Sequence, residues 1–277
     1  MVSSGSSTSS EGSAVVSVLR SLFVAPVGEA VAPLKKAVNY LLVCVAVILV
    51  VGCSLGAVGI TLNFDFVGQY RLRIFDGFML TVWLSVASLI GSMLIGVPVA
   101  LGKNSRILPI RYLCDLYVKI IRGTPLIAQI YLFYYIIGTA WGVENRVVAG
   151  IIILSVFAGA YIAEIVRAGY ESLDRGPLEA ARALGLTRVQ TAVSVALPQM
   201  VTRTLPALTG QFASIIKDSS LLSVIAVIEL TQTMREISAT NYNFFGCFLL
   251  LGALYLCLTL PVMLVSRYFE RRLDYAH

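Results

Sequence analysis

Four stretches of this chain carry no charged side chain: the 28 residues between Lys36 and Asp65, the 26 between Asp76 and Lys103, the 21 between Arg122 and Glu144, and the 30 between Glu236 and Arg267. A helix rises about 1.5 Å per residue and a bilayer's hydrocarbon core is about 30 Å thick, so each run is long enough to cross a membrane. Charged residues make up 13% of the 277, against roughly 25% in soluble domains, and a soluble single-domain enzyme is excluded. The five cysteines are scattered, four of them inside apolar runs, which gives neither a disulfide framework nor zinc-ligand spacing. His277 is the only histidine, so a Ser-His-Asp triad, a histidine metal cage and a histidine proton relay are all disfavoured. The net charge of +6 sits at the ends of apolar spans, as membrane topology requires, and does not read as a nucleic-acid surface.

The first thirteen residues hold seven serines and two glycines and cannot bury a core. Residues 1–36 read as a serine-rich, disordered or interfacial tail, within which Ala14 to Leu34 suits a short surface helix. Residues 37–60 read as a retained transmembrane helix, too long for the apolar region of a signal peptide. Further spans are expected at Gly77 to Leu101, from Tyr112 to about Thr139 with a break at Gly123-Thr124-Pro125, at Val147 to Ile165, at Val189 to Ile216, and at Phe244 to Val265. Ser85, Ser88, Gly91, Ser92 and Gly96 recur along the second span, and small residues let membrane helices pack closely. With the N-terminus inside, thirteen Lys and Arg residues fall on inner segments and five on outer ones. That asymmetry predicts cytoplasmic N- and C-termini and a cytoplasmic polar loop.

The polar loop has definite local structure. Pro177 suits the first turn of a helix, Leu178 to Leu184 are good helix formers, and Gly185 supplies a left-handed stop. Thr187 with Gln190 forms a capping box that starts the next helix at once, which Pro198 is expected to end or kink. A short helix between two fixed corners can be an amphipathic connector on the lipid surface, or it can hand force to something outside the membrane. Elsewhere, Lys217-Asp218 reads as a helix break on the outward side of the fifth core segment, with one charge of each sign. Glu164 and Arg167, three apart on a helix, suit an ion pair, and Arg122 reads as structural. Tyr131, Phe133, Tyr134 and Tyr135 read as an interfacial packing belt, and Arg203 is left without a role.

The pattern Glu179-Ala180-Ala181, three residues, Gly185, nine residues, Val195, one residue, Leu197-Pro198 resembles the EAA loop of bacterial ABC-importer permeases, with Val195 where isoleucine is commoner. Residues 121–126 (IRGTPL), 159–169 (GAYIAEIVRAG) and 217–225 (KDSSLLSVI) are similar to the permeases for polar amino acids, the His/Glu/Gln/Arg group. The similarity runs from about Phe75 to Leu273.

The resemblance implies an all-α integral membrane protein with a type I ABC-importer-like permease core of five spans over residues 75–273, an EAA loop at 174–198, and one additional N-terminal transmembrane helix. It implies a permease subunit of the bacterial inner membrane that translocates a polar amino acid. Its partners would be a cytoplasmic ABC ATPase dimer, a second permease subunit (the same chain or another), and an extracytoplasmic amino-acid-binding protein. Glu179, Ala180, Ala181 and Gly185 would couple to the ATPase, while Lys217, Asp218 and Ser219 would contribute to the substrate path or, alternatively, anchor a gate. No phosphate-binding loop is present, so ATP and Mg would be bound by the partner, and the chain itself is expected to be neither an enzyme nor a cofactor or metal carrier. The competing reading is an ion-coupled secondary amino-acid transporter, which inverted repeats would favour, and the sequence shows none. Arginine, glutamine, histidine and cystine suit the pattern equally.

Overall fold

The computed structural model describes residues 23–24, 31–59 and 62–274, with side chains to residue 269. The serine-rich stretch and most of the surface helix expected at 14–34 lie outside the described residues. The chain divides into two units, Met1–Leu62 and Asn63–His277.

The first unit contributes α1 (Pro33–Ala57), which has proline in its first turn. None of its side chains is buried, as suits a helix with lipid for a neighbour.

The second unit is all helical among the described residues. Its elements are α2 (Phe66–Lys103), α3 (Leu108–Gly123), α4 (Leu126–Tyr131, continued by wider π turns over Leu132–Gly138), α5 (Arg146–Glu171), α6 (Arg175–Ala183), α7 (Arg188–Thr191), α8 (Leu197–Asp218), α9 (Leu230–Asn241) and α10 (Phe244–Asp274). A π segment, Ala192–Ala196, joins α7 to α8, and a 3-10 segment, Ser219–Ile225, follows α8. Four helices, α1, α2, α5 and α10, are long and apolar enough to span a membrane. The α3–α4 pair passes the same test as one span bent by 112°. The bend falls at the Gly123-Thr124-Pro125 break, where proline disfavours helical geometry in the residue before it. The 22 residues of α8 reach about 33 Å, enough to cross, but Gln199, Arg203, Gln211 and Lys217 make it more polar than the others.

The centre of this unit is the α2–α5 pair. Ser85, Ser88, Ser92 and Gly96 of α2 are buried against α5, which buries Ser155, Ala158, Gly159, Ala160 and Ala163. A Cβ on Gly96 would stand 2.7 Å from the Gly159 carbonyl oxygen and 2.8 Å from Ile162, so the two backbones touch only because both positions lack side chains. Leu84, Ile130, Leu154, Ile162 and Leu222 complete this core, which joins α2, α3, α4, α5 and the 3-10 segment. A second core at the opposite end of α2 packs Phe66 and Ile74 against Leu230, Met234 and Ile237 of α9 and against Cys247 and Leu251 of α10.

Two local expectations change. Pro198 does not end its helix: the preceding π segment makes room for it, and α8 runs on through Pro206 to Asp218. The α-helix ends at Asp218, where the break is expected, but the chain does not open there. It tightens into the 3-10 segment and turns at Ala226, which is left-handed at φ 53°. Ala226 N–H donates to Ser223 and Val227 N–H to Leu222 at 3.0 and 3.3 Å, the local bonds of a left-handed stop, and Arg146 adds one tertiary bond to the Ala226 carbonyl at 3.5 Å.

Candidate functional site

Helix α6 is nine residues long; it begins at Arg175, two residues before the Pro177 start that the sequence predicts, and its stop at Gly185 falls where expected. Gly185 adopts φ +79°, and the N–H groups of Gly185 and Leu186 return to the carbonyls of Arg182 and Ala181 at 3.0 and 3.1 Å. The Thr187–Gln190 capping box is complete, with Thr187 N–H donating to Gln190 Oε1 at 2.9 Å and Gln190 N–H to Thr187 Oγ1 at 3.3 Å. Ala181 faces inward and is buried, while Glu179, Ala180 and Gly185 are exposed. Asp174, immediately before α6, pairs at 2.5 Å with Arg203 of α8, which gives Arg203 the role the sequence left open.

The tip of this loop is unusual for a polar segment. Leu184 and Val189 are 81% and 72% exposed, and Val193 is also exposed. Arg175, Arg182 and Arg188 form no ion pair among the described residues. Exposed leucine and valine grouped with arginines that are unpaired among the described residues form an interaction surface on this loop.

The end of the core that carries α6 is knitted by charge. Glu164 receives Lys103 at 2.5 Å, Arg167 at 2.8 Å and Arg122 at 3.5 Å, so one carboxylate ties α2, α3 and α5 together. Arg167 also reaches Glu171 at 2.6 Å, Asp115 reaches Lys119 at 2.7 Å and Lys103 at 3.7 Å, and the Arg122 guanidinium lies 5.4 Å from the Tyr161 ring centroid. The Glu164–Arg167 pair expected from spacing is thus one link of a larger network, whose partners 42 and 61 residues away in sequence left no local signal.

The other candidate residues lie at the far end of α8. Lys217 is exposed, Asp218 half-buried, and neither makes an ion pair with the other or with any described residue. Ser219 is buried and its hydroxyl donates to the Ile216 carbonyl at 2.8 Å. The two groups of candidates are therefore not one site: α6 lies at one end of α8 and Lys217-Asp218 at the other.

One buried acid was missed. Glu229 is fully buried ahead of α9, where its carboxylate accepts from Thr231 N–H at 2.8 Å, Gln232 N–H at 2.9 Å and the Tyr255 hydroxyl of α10 at 2.9 Å. It caps α9 and ties it to α10. An acidic residue before Leu-Thr-Gln is the N-cap signal that marks it.

Several helices long and apolar enough to span a membrane, packed on one another and carrying a short helix stopped at Gly185 at one end, define an integral membrane protein. Residues 92–275 match the model of the binding-protein-dependent transport system inner membrane component, and the chain belongs to that family. It is 33% identical to the probable glutamine ABC transporter permease protein GlnM of Bacillus subtilis (strain 168), over 78% of this chain and 98% of that protein. It is likewise 33% identical to the L-cystine transport system permease protein TcyB of the same organism, over 78% and 93%. In structure it resembles a chain from the crystal structure of an amino acid ABC transporter with histidines, with a TM-score of 0.71 and 34% identity, over 77% of this chain and all of the other.

Proposed function

We propose that this chain is the membrane-spanning subunit of an importer that carries a polar amino acid across the inner membrane, driven by ATP hydrolysis in a separate subunit that docks on α6. The observation that carries this reading is the α6 loop. It is stopped at Gly185 by a left-handed turn, tied to α8 through Asp174–Arg203, seated through Ala181, and presents outward Leu184, Val189 and three arginines that form no ion pair among the described residues. Glu179, Ala180, Ala181 and Gly185 are the coupling residues in this account, with the loop and both termini on the cytoplasmic side.

Coupling needs contacts that differ between the two states of the cycle. Closure of two ATPases would displace α6, and two connections lead inward from it. One runs through α7 and the π segment into α8, and the other through Asp174–Arg203 directly onto α8. The far end of α8 carries Lys217, Asp218 and Ser219. The adjacent charges of Lys217 and Asp218 suit the carboxylate and ammonium of a zwitterion, and Ser219 fixes the backbone beside them. Glutamine and cystine, in the names of the relatives, are both zwitterions of this kind. ATP and Mg belong to the partner ATPase, amino acid would arrive from an extracytoplasmic binding protein, and a second permease subunit would complete the path.

The decisive test is uptake of labelled amino acids into vesicles, with wild-type chain and with Glu179→Lys. Uptake should require ATP and be lost in the variant while membrane insertion is unchanged. ATP-independent uptake that collapses with ionophores would instead identify an ion-coupled carrier. Separately, Lys217→Ala and Asp218→Asn should impair substrate-stimulated transport, and unchanged transport in both would remove them from the path.

A further inference from the structure

Helix α10 carries two hydroxyls in its apolar run from Phe244 to Val265, on Tyr255 and Thr259. The Thr259 hydroxyl donates to the Tyr255 carbonyl of its own helix at 2.9 Å. The Tyr255 hydroxyl instead leaves the helix. It donates to Glu229 Oε2 at 2.9 Å, lies 3.0 Å from Thr231 Oγ1, and has the Ser219 hydroxyl as a further hydrogen-bonding neighbour. A hydroxyl in an apolar span is costly unless it is satisfied, and this one has a carboxylate to receive its proton.

Those neighbours stand at the two ends of one segment. Ser219 opens the 3-10 segment directly after α8, and Glu229 and Thr231 open α9, so one phenol meets both ends of the stretch from 219 to 231. The α9 end is anchored independently of Tyr255: Leu230 N–H donates to Thr81 Oγ1 of α2 at 3.1 Å, and Glu229 accepts from Thr231 and Gln232 N–H. The α8 end has less to hold it. Ser219 bonds to the Ile216 carbonyl of α8, and neither Lys217 nor Asp218 is fixed by an ion pair among the described residues. The placement of these two side chains therefore depends on the backbone that Ser219 and its neighbours secure.

We infer that Tyr255 is a positioning residue for the amino-acid path: through Ser219 it holds the end of α8, and with it Lys217 and Asp218, against α10 and the anchored start of α9. This rests on the reading that Lys217 and Asp218 serve that path. Tyr255 itself need not touch the amino acid; its hydroxyl sets where the two charged side chains start from.

The test is Tyr255→Phe, which keeps the ring and leaves Glu229 its two backbone donors, so the α9 cap survives. The full chain is purified with the subunits and binding protein that accompany it and reconstituted in lipid vesicles. Amide exchange read by mass spectrometry should be roughly fivefold faster over residues 217–231 in the variant, the worth of one hydrogen bond, and unchanged over 153–163 of α5. The same vesicles, given ATP and a labelled mixture of glutamine, cystine, arginine and histidine, report ATP hydrolysed per amino acid imported. That ratio should rise roughly fivefold, because the path is displaced while α6 is untouched. A merely structural defect lowers hydrolysis and uptake together and leaves the ratio where it was. Unchanged exchange over 217–231, equal acceleration in α5, or an unchanged ratio would each overturn the inference. Failure of the underlying reading shows separately, as unchanged transport in Lys217→Ala and Asp218→Asn or as wild-type uptake indifferent to ATP.

Discussion

Glu164 shows how one residue can hold an end of the molecule. Its side chain is 18% exposed and faces three cations from α2, α3 and α5, so removing its charge leaves Lys103 and Arg122 with little compensation. Breaking a buried pair costs about 3–5 kcal/mol, and partial solvent access here reduces the expected loss for Glu164→Gln to about 1–3 kcal/mol. A detergent thermal melt should show this as a lowered midpoint, and an unchanged midpoint would mean the network is ornamental. Gly185 is a second such residue. At φ +79° a side chain costs about 1–2 kcal/mol, and a β-branched one more, so Gly185→Val should loosen α6 and raise its amide exchange while leaving the spans protected. Uniform protection across α6 in that variant would show that the cap does not define the loop.

Elements were legible in the sequence where their ends are written locally. Charge-free runs located α1, α2 and α10, and Gly123-Thr124-Pro125 placed the bend between α3 and α4. Gly185 and the Thr187–Gln190 box marked the end of α6 and the start of α7 because a left-handed stop and a side-chain cap act within four residues. Two features were not legible. Pro198 sits within continuous helix because a π segment absorbs it, and the turn after α8 falls at Ala226, a residue with no turn propensity, closed by local bonds to Ser223 and Leu222 and by one tertiary bond from Arg146. The contact between α2 and α5 was foreshadowed by small residues on α2, but its partner face was not. At that contact Gly96→Val should be far worse than Gly102→Ala. The first forces two helices apart at backbone, while the second meets mainly the Cys114 sulfur. Folded yield in membranes is the measurement, and equal yields would contradict the close approach.

At the scale of the whole molecule, the scarce charges divide the work. One set, centred on Glu164, fixes three helices at the end where α6 stands, and a single pair, Asp174–Arg203, links α6 to α8. A charge-reversed pair, Asp174→Arg with Arg203→Asp, should recover much of the coupled uptake lost in either single change, since the link depends on opposite charge across α6 and α8. No recovery, with assembly intact, would show that force reaches α8 by the α7 connection alone. The central claim is that the energy enters from outside this chain, at α6. Its most direct test is to purify the tagged chain from membranes, identify what accompanies it, and measure ATP hydrolysis by the complex. The account predicts a co-purifying ATPase that is lost from, or uncoupled in, Glu179→Lys. Recovery of the chain alone, with uptake indifferent to ATP, would contradict it.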